Sequence, residues 1–317
     1  MKELAGRACP LAYRYGAAAL AVSPVTVAET LYVVGGLYGN LQSLVQIEAM
    51  VQAEPAPVTL VFNGDFNWFN TDDETFERIN QSVLRHDALR GNVEFELNAE
   101  GDALGCGCAY PDSVDQATVD RSNRIHAQLK ATACRYPQIL AQLAALPLFA
   151  RYAIGSATIG VVHGDADSLA GWAFDAAELG KPENQRRICE MFTESNVDIF
   201  ASTHTCLPAL RRFELADGSQ RHQGIVINNG AAGMPNFQDK SGGLLTRISR
   251  HVSPHQALYR AKLGDVFIDS LQIDYDSANW QKSFLANWPV GSDAHQSYFS
   301  RIDKGPAYQL AQAVTAE

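Results

Sequence analysis

The chain of 317 residues has no apolar stretch long enough to span a bilayer, so no membrane association is expected. Lys2, Arg7 and Arg14 precede an apolar run from Ala17 to Val22, but that run is short and the chain soon turns into the strand pattern of Leu31–Val34. The expected setting is therefore the cytoplasm. Basic charge is also scarce, with 25 Lys and Arg against 35 Asp and Glu and a formal net charge of −10. Binding to a nucleic-acid duplex needs a basic face that neutralises phosphates, and is not expected here. A small phosphorylated substrate stays open, because a bound metal brings positive charge that this count omits. Six cysteines scattered over a chain of this length do not make a disulfide framework. Neither an internal repeat nor a low-complexity tract is present, which sets repeat architectures aside. What remains is 46% hydrophobic and 19% charged, the composition of a folded chain with a sizeable core.

Short apolar, largely β-branched runs flanked by turn residues recur at Leu31–Val34, Val58–Phe62, Ile159–Val162, Val197–Phe200 and Ile225–Ile227. They read as strands buried on both faces. Helical spacing separates them. Leu41, Leu44, Ile47 and Val51 share one face, as do Phe76, Ile79 and Val83 after a Thr71/Glu74 capping box. Leu140, Leu143 and Leu146 mark another helix, and Ile188, Met191 and Phe192 one more. Beyond Leu210 the pattern becomes strand-rich, with a hairpin over Phe213–Ile227 turning at Asp217–Gly218, then strands near Leu244–Ile248, Leu258–Lys262 and Val266–Ile273. This order predicts an α/β (α+β) chain with mixed sheets covered by helices. Residues 1–29 read as an N-terminal extension packed on the core, 30–275 as the domain, and 276–317 as a C-terminal extension rich in aromatics.

Polar residues and glycines gather where these strands stop. Leu31–Val34 runs into Gly35-Gly36-Leu37-Tyr38-Gly39-Asn40, and Val58–Phe62 into Asn63-Gly64-Asp65. Ala88–Leu89 leads to Arg90-Gly91-Asn92-Val93-Glu94, and Ile159–Val162 to His163-Gly164-Asp165. Val197–Phe200 ends in Ala201-Ser202-Thr203-His204, and Ile225–Ile227 in Asn228-Asn229-Gly230. Ligands bind at the carboxyl ends of strands in such folds, and six segments converge there. Asp65, Asn92, His163 and His204 form a mixed N/O donor set that suits Mn, Fe or Zn.

In this order the segments resemble the motif series of the calcineurin-like metallophosphoesterase superfamily: Asp-x-His, Gly-Asp, Gly-Asn-His-Glu or Asp, a His-Gly segment, Gly-His-x-His and a late Asn turn. Gly39-Asn40-Leu41-Gln42-Ser43-Leu44 and Gly91-Asn92 are the nearest matches, and the likeness runs from about Leu31 to Gly230. It implies a four-layer sandwich, two mixed β-sheets flanked by helices, and a metal-dependent phosphoester hydrolase. Mapped onto this chain, Asp65 bridges two metals, Asn92 and His163 hold one of them, and His204 the other. His204 and Asn92 are the expected catalytic residues, and Tyr38, Asn67 and Asn229 the expected substrate contacts.

The departures shape the expectation further. Gly36 and Tyr38 stand for the family's first Asp and His, Ser202 for a histidine, Val93 for the histidine that assists the leaving group, and Trp68 for a second acid. Two divalent ions would then meet the single negative charge of Asp65, so one ion is expected rather than two, held by Asp65, Asn92 and His163. Asn63, Asn67, Asp165, Asp167, Tyr38, Cys106 and Cys108 are candidates to compensate. Tyr38 could coordinate as a phenolate, donate from its hydroxyl, or merely fill vacated space. Two functions follow: hydrolysis of a phosphomonoester or phosphodiester by metal-bound hydroxide, or a catalytically silent relative that binds a nucleotide-like ligand or a protein partner.

Overall fold

The structure is a computed structural model and describes residues 5–101, 103–217 and 220–314. Its strands are β1 (Val25–Val27), β2 (Thr30–Val34), β3 (Val58–Asn63), β4 (Asp87–Leu89), β5 (Phe149–Ile154), β6 (Ala157–Val162), β7 (Ile199–Ser202), β8 (Ala209–Asp217), β9 (Gln220–Asn228), β10 (Gly243–Ser249), β11 (Ala257–Leu263) and β12 (Val266–Ile273). They form two six-stranded sheets, ordered β1-β5-β6-β7-β9-β8 and β11-β12-β10-β2-β3-β4. Both are mixed: β2, β3 and β4 run parallel, as do β6, β7 and β9, while β8, β10, β11 and β12 pair antiparallel. The hairpin expected over Phe213–Ile227 is β8 and β9, and its turn at Gly218 lies outside the described residues.

Alternation along fully buried strands builds the layers. Leu31, Val33 and Val61 point between the sheets, against Ile159, Val161, Ile199, Ile225 and Ile227. Their neighbours Tyr32, Val34, Leu60 and Phe62 point outward, onto the helices Leu41–Ala53, Asp73–Val83, Gln116–Ala133, Ser277–Asn287 and Asp293–Lys304. On the far side, Val162, Phe200, Phe213 and Val226 pack on the helices Ala17–Ala21 and Pro182–Ser195. The order is helix, sheet, sheet, helix.

The second helix is capped by Asp72, whose side chain accepts the Thr75 N–H at 2.9 Å, and not by Thr71 as its spacing to Glu74 suggested. β1 and β5 carried no strand signal, since β1 has three exposed residues and β5 interrupts its apolar positions with Arg151. Residues 5–29 reach well inside the structure: Tyr13 is fully buried and β1 joins the edge of a sheet beside β5.

A buried ion group ties β10 to its surroundings. Arg247, with no exposed side-chain surface, grips both oxygens of Glu54 at 2.8 and 2.7 Å and lies 3.5 Å from Asp269. Burial raises the Glu54 carboxyl, but Arg247 and the Tyr32 hydroxyl outweigh it and leave Glu54 below its ordinary range. Arg247→Ala strands the buried Glu54 carboxylate, while Asp269 keeps Arg260, and the expected loss in denaturant unfolding is about 3–5 kcal/mol.

Candidate metal centre

The carboxyl ends of β3, β4, β6 and β7 meet at one place, and the residues just beyond them face one another. Asp65 follows β3 in a left-handed conformation (φ 55°) after Gly64 (φ 79°), a bend that turns its carboxylate across the strand ends. Its Oδ1 accepts the Val93 N–H at 3.2 Å and lies 3.4 Å from His163 Nε2. Asn92 opens the short helix Asn92–Leu97, and its Oδ1 is 3.1 Å from that same Nε2. His204 completes the group, with Nδ1 at 3.3 Å from His163 Nε2.

Three of these four side chains are oriented by a backbone carbonyl. His163 Nδ1 donates to Asn63 O at 2.7 Å, His204 Nε2 to Cys108 O at 3.0 Å, and Asn92 Nδ2 to Cys106 O at 2.9 Å. A carbonyl can only accept, so these contacts put the protons on the far nitrogens. His163 Nε2, His204 Nδ1, Asp65 Oδ1 and Asn92 Oδ1 are left as lone pairs aimed at common space. One proton on His163 can answer only one of them. Such outer carbonyls fixing the tautomer are what metal-ligating histidines carry. The ligand atoms of Asp65, His163 and His204 lie within 4.8 Å of one another, and all three residues are buried. The donor set fits a divalent cation.

The electrostatics agree with that arrangement. Burial raises the Asp65 carboxyl, yet His163 and then His204 outweigh it and hold it below its usual range. His163 is shifted the other way: burial lowers it, but Asp65 raises it by more. Burial, and then the neighbouring His163, brings His204 down to about 4, so at neutral pH it is an uncharged lone-pair donor.

Two residues that sequence reasoning passed over hold the group in place. Glu94 is fully buried and accepts N–H bonds from Asp65 at 2.8 Å, Asn67 at 3.1 Å and Gly91 at 3.2 Å. Burial, and next the charge of Asp65, push its pKa up to about 7. Glu94 stands three residues after Gly91 at a helix start, the spacing of a capping box, which was a usable signal. The second is Tyr13, whose hydroxyl donates to Glu96 at 2.6 Å and packs against Gly107.

The Gly105–Cys108 loop supplies carbonyls rather than thiols as compensation. Gly105 and Gly107 are left-handed (φ 62° and 65°), which turns the carbonyls of Cys106 and Cys108 toward Asn92 and His204. Asp165 spends its carboxylate on the N–H groups of Asp167, Ser168 and Ala173, and Asp167 pairs with Arg187 at 2.6 Å. Neither aspartate joins the centre. Asn63 Nδ2 donates to Val162 O at 2.8 Å.

A pocket opens beside the centre, with Asp65 and His204 on its wall together with Tyr38, Trp68, Val93 and Cys206. Of the expected substrate contacts, only Tyr38 reaches it. Asn67 is locked with Asn80 and Glu94, and Asn229 accepts from Thr246 at 2.6 Å; both amides turn inward because their partners lie in the core. The Tyr38 ring fills the space in front of Gly36, where a Cβ would lie 2.2 Å from Tyr38 Cζ. Its hydroxyl contacts Cys206 Sγ at 2.8 Å, and burial, then Cys206 and Asp65, raise its pKa well above the ordinary range. Ser202 has a buried hydroxyl without a hydrogen-bond partner among the described residues.

No protein-family model and no curated protein matches the chain. Solved structures do. A metallophosphoesterase from Sphaerobacter thermophilus is 15% identical, with 87% of this chain and 100% of that chain covered at a TM-score of 0.52. A hypothetical protein from Pyrococcus horikoshii OT3 is 14% identical, with 89% of this chain and 100% of that chain covered at a TM-score of 0.53. With two mixed six-stranded sheets flanked by helices and these likenesses, the chain has the calcineurin-like metallophosphoesterase fold.

Proposed function

We propose that the protein is a metal-dependent phosphoric ester hydrolase built around one divalent cation of the Mn, Fe or Zn type. The observation that carries this reading is the convergence of four lone pairs, from Asp65, Asn92, His163 and His204, each oriented from behind by carbonyls or N–H groups. These four would hold the cation, and the Tyr38 ring stands where the family's second ion would need its aspartate. A cation there supplies Lewis acidity toward a phosphoryl oxygen and a lowered pKa for water.

The chain's own groups do the rest. Asp65 stays ionised and fixes the charge of the site. His204, uncharged near neutral pH, orients rather than protonates. Tyr38 keeps its proton and can donate to a phosphoryl oxygen from the pocket wall. Val93 lines the same wall and offers no proton to a departing alcohol. The substrate is a small phosphomonoester or phosphodiester, and a reduced setting such as the cytoplasm suits six unpaired thiols.

A series of aryl phosphoesters with graded leaving-group pKa tests this directly. The expected rate falls by about tenfold or more across two to three pKa units, because leaving-group protonation lacks a positioned acid. A flat series would show that a proton donor operates, and absence of turnover with every ester and metal would favour a silent binding protein.

A further inference from the structure

The pocket beside the centre is walled by aromatic rings, and all but Tyr38 lie outside the role given to the metal centre. Tyr38, Trp68, Tyr110, Trp172 and Tyr298 line it, with Met234. The rings do not stand parallel. Trp68 meets Tyr298 at 78°, Trp172 meets His204 at 81°, and Tyr110 meets Trp172 at 50°. A flat base or aryl group stacks best in a slot with parallel walls, whereas steeply inclined faces surround a rounded group. The cavity is about 120 Å³, well under the ~300–1,000 Å³ of ordinary ligand clefts. A nucleotide is too large for it.

Charge narrows the class further. No Lys or Arg is among the described residues that line the pocket. Arg301, which lies behind the wall, is held by the carbonyls of Cys206 at 2.8 Å and Pro235 at 3.1 Å. A ligand with several anionic groups would find one cationic centre and nothing more. The chain as a whole carries −10. Ring faces attract a cation, and a cage of Trp and Tyr faces is the usual receptor for a quaternary ammonium group.

We propose that this pocket receives a compact quaternary ammonium head, so that the substrate is a phosphoester of an onium alcohol. The assignment of the phosphoryl half rests on the hydrolase reading; the onium half rests on the cage alone. The head sits among Trp68, Tyr110, Trp172 and Tyr298, while the phosphoryl group lies toward Asp65 and His204.

Fluorescence of the tryptophans, two of which are on the wall, reads the binding. The protein is stripped with chelator, so that no divalent cation repels a free onium, and titrated with choline and with its uncharged isostere 3,3-dimethylbutanol. Cation–π attraction in a desolvated cage is expected to make choline about tenfold tighter than the isostere. Trp172→Leu is expected to lose about tenfold in choline affinity while Trp172→Phe, which keeps a ring face, stays within about threefold. Equal affinity for choline and the isostere, or no saturable choline binding, overturns the proposal. Should Trp172→Leu unfold, the wild-type ratio still decides. Choline binding without turnover of any phosphoester would sink the hydrolase reading and leave the cage standing. Turnover without choline binding would do the reverse.

Discussion

Gly91→Ala is expected to destroy the metal centre while leaving most of the protein folded. A Cβ at position 91 would lie 2.3 Å from Asp65 Oδ1, 2.6 Å from the Asp65 nitrogen and 3.0 Å from His163 Cε1. Two of these neighbours are donor side chains and one is backbone held by Glu94, so none can yield cheaply. Gly64 closes the other side: its own Cβ would meet the Gly91 backbone at 2.5 Å. The two loops approach this closely only because neither has a side chain there. Overpacking of this kind costs about 1–3 kcal/mol in stability. Displacing a ligand should cost metal affinity about 100-fold or more, since supporting contacts alone are worth roughly 10–100-fold. Metal titration and denaturant unfolding of the variant check both figures. Gly180→Ala, where no atom lies within 4 Å of the new Cβ, is the matched control and should change neither.

A second large effect is expected from a double-mutant cycle at Gly36 and Tyr38. The alanine Cβ at position 36 would overlap the Tyr38 ring, at 2.2 Å from Cζ, 2.4 Å from Cε1 and 2.5 Å from the hydroxyl oxygen. Gly36→Ala alone should cost about 2–3 kcal/mol. In a Tyr38→Ala background the overlap is gone, and the same substitution should cost less than about 0.5 kcal/mol. The coupling between the two sites should therefore exceed about 1 kcal/mol, as contacting residues give. Additive effects would mean that the tyrosine ring does not fill the space in front of position 36. The two positions are linked: once the ring occupies that ground, only glycine fits at position 36.

Much of this was legible in the sequence because strand ends and motif order carry it. Each buried apolar run was followed by glycines and metal-ligating side chains, and Asp65, Asn92, His163 and His204 do meet. Other features were hidden for physical reasons. The helix Gln116–Ala133 buries Ser122, His126 and Thr132 beside Val119, Ile125 and Leu129, so its inner face has no clean apolar stripe. His126 packs inside that face as a satisfied structural group, with its Nε2 3.1 Å from Val93 O. The Gly-Cys-Gly-Cys segment drew attention to its thiols, whereas the site uses its carbonyls, which no side-chain reading can reveal. Asn67 and Asn229 sit at strand ends as expected, but strand position does not say which way an amide turns. The aromatic tail was legible as packing surface, and it does more. Phe284 and Tyr298 pack on Phe69 at 5.2 and 4.9 Å, and Tyr298 reaches the pocket wall, so the C-terminal helices help to shape the loop that carries Asp65 and Trp68.

The most direct test of the single-ion centre is metal content. Protein purified without chelator or nickel affinity is analysed by plasma mass spectrometry, with wild type beside Asp65→Ala. The expected result is about one equivalent of a divalent transition metal in the wild type and almost none in the variant, because Asp65 is the only anionic member of the donor set. Two equivalents would contradict the single ion and the role given to Tyr38. No bound metal after incubation with Mn, Fe or Zn would contradict the centre itself.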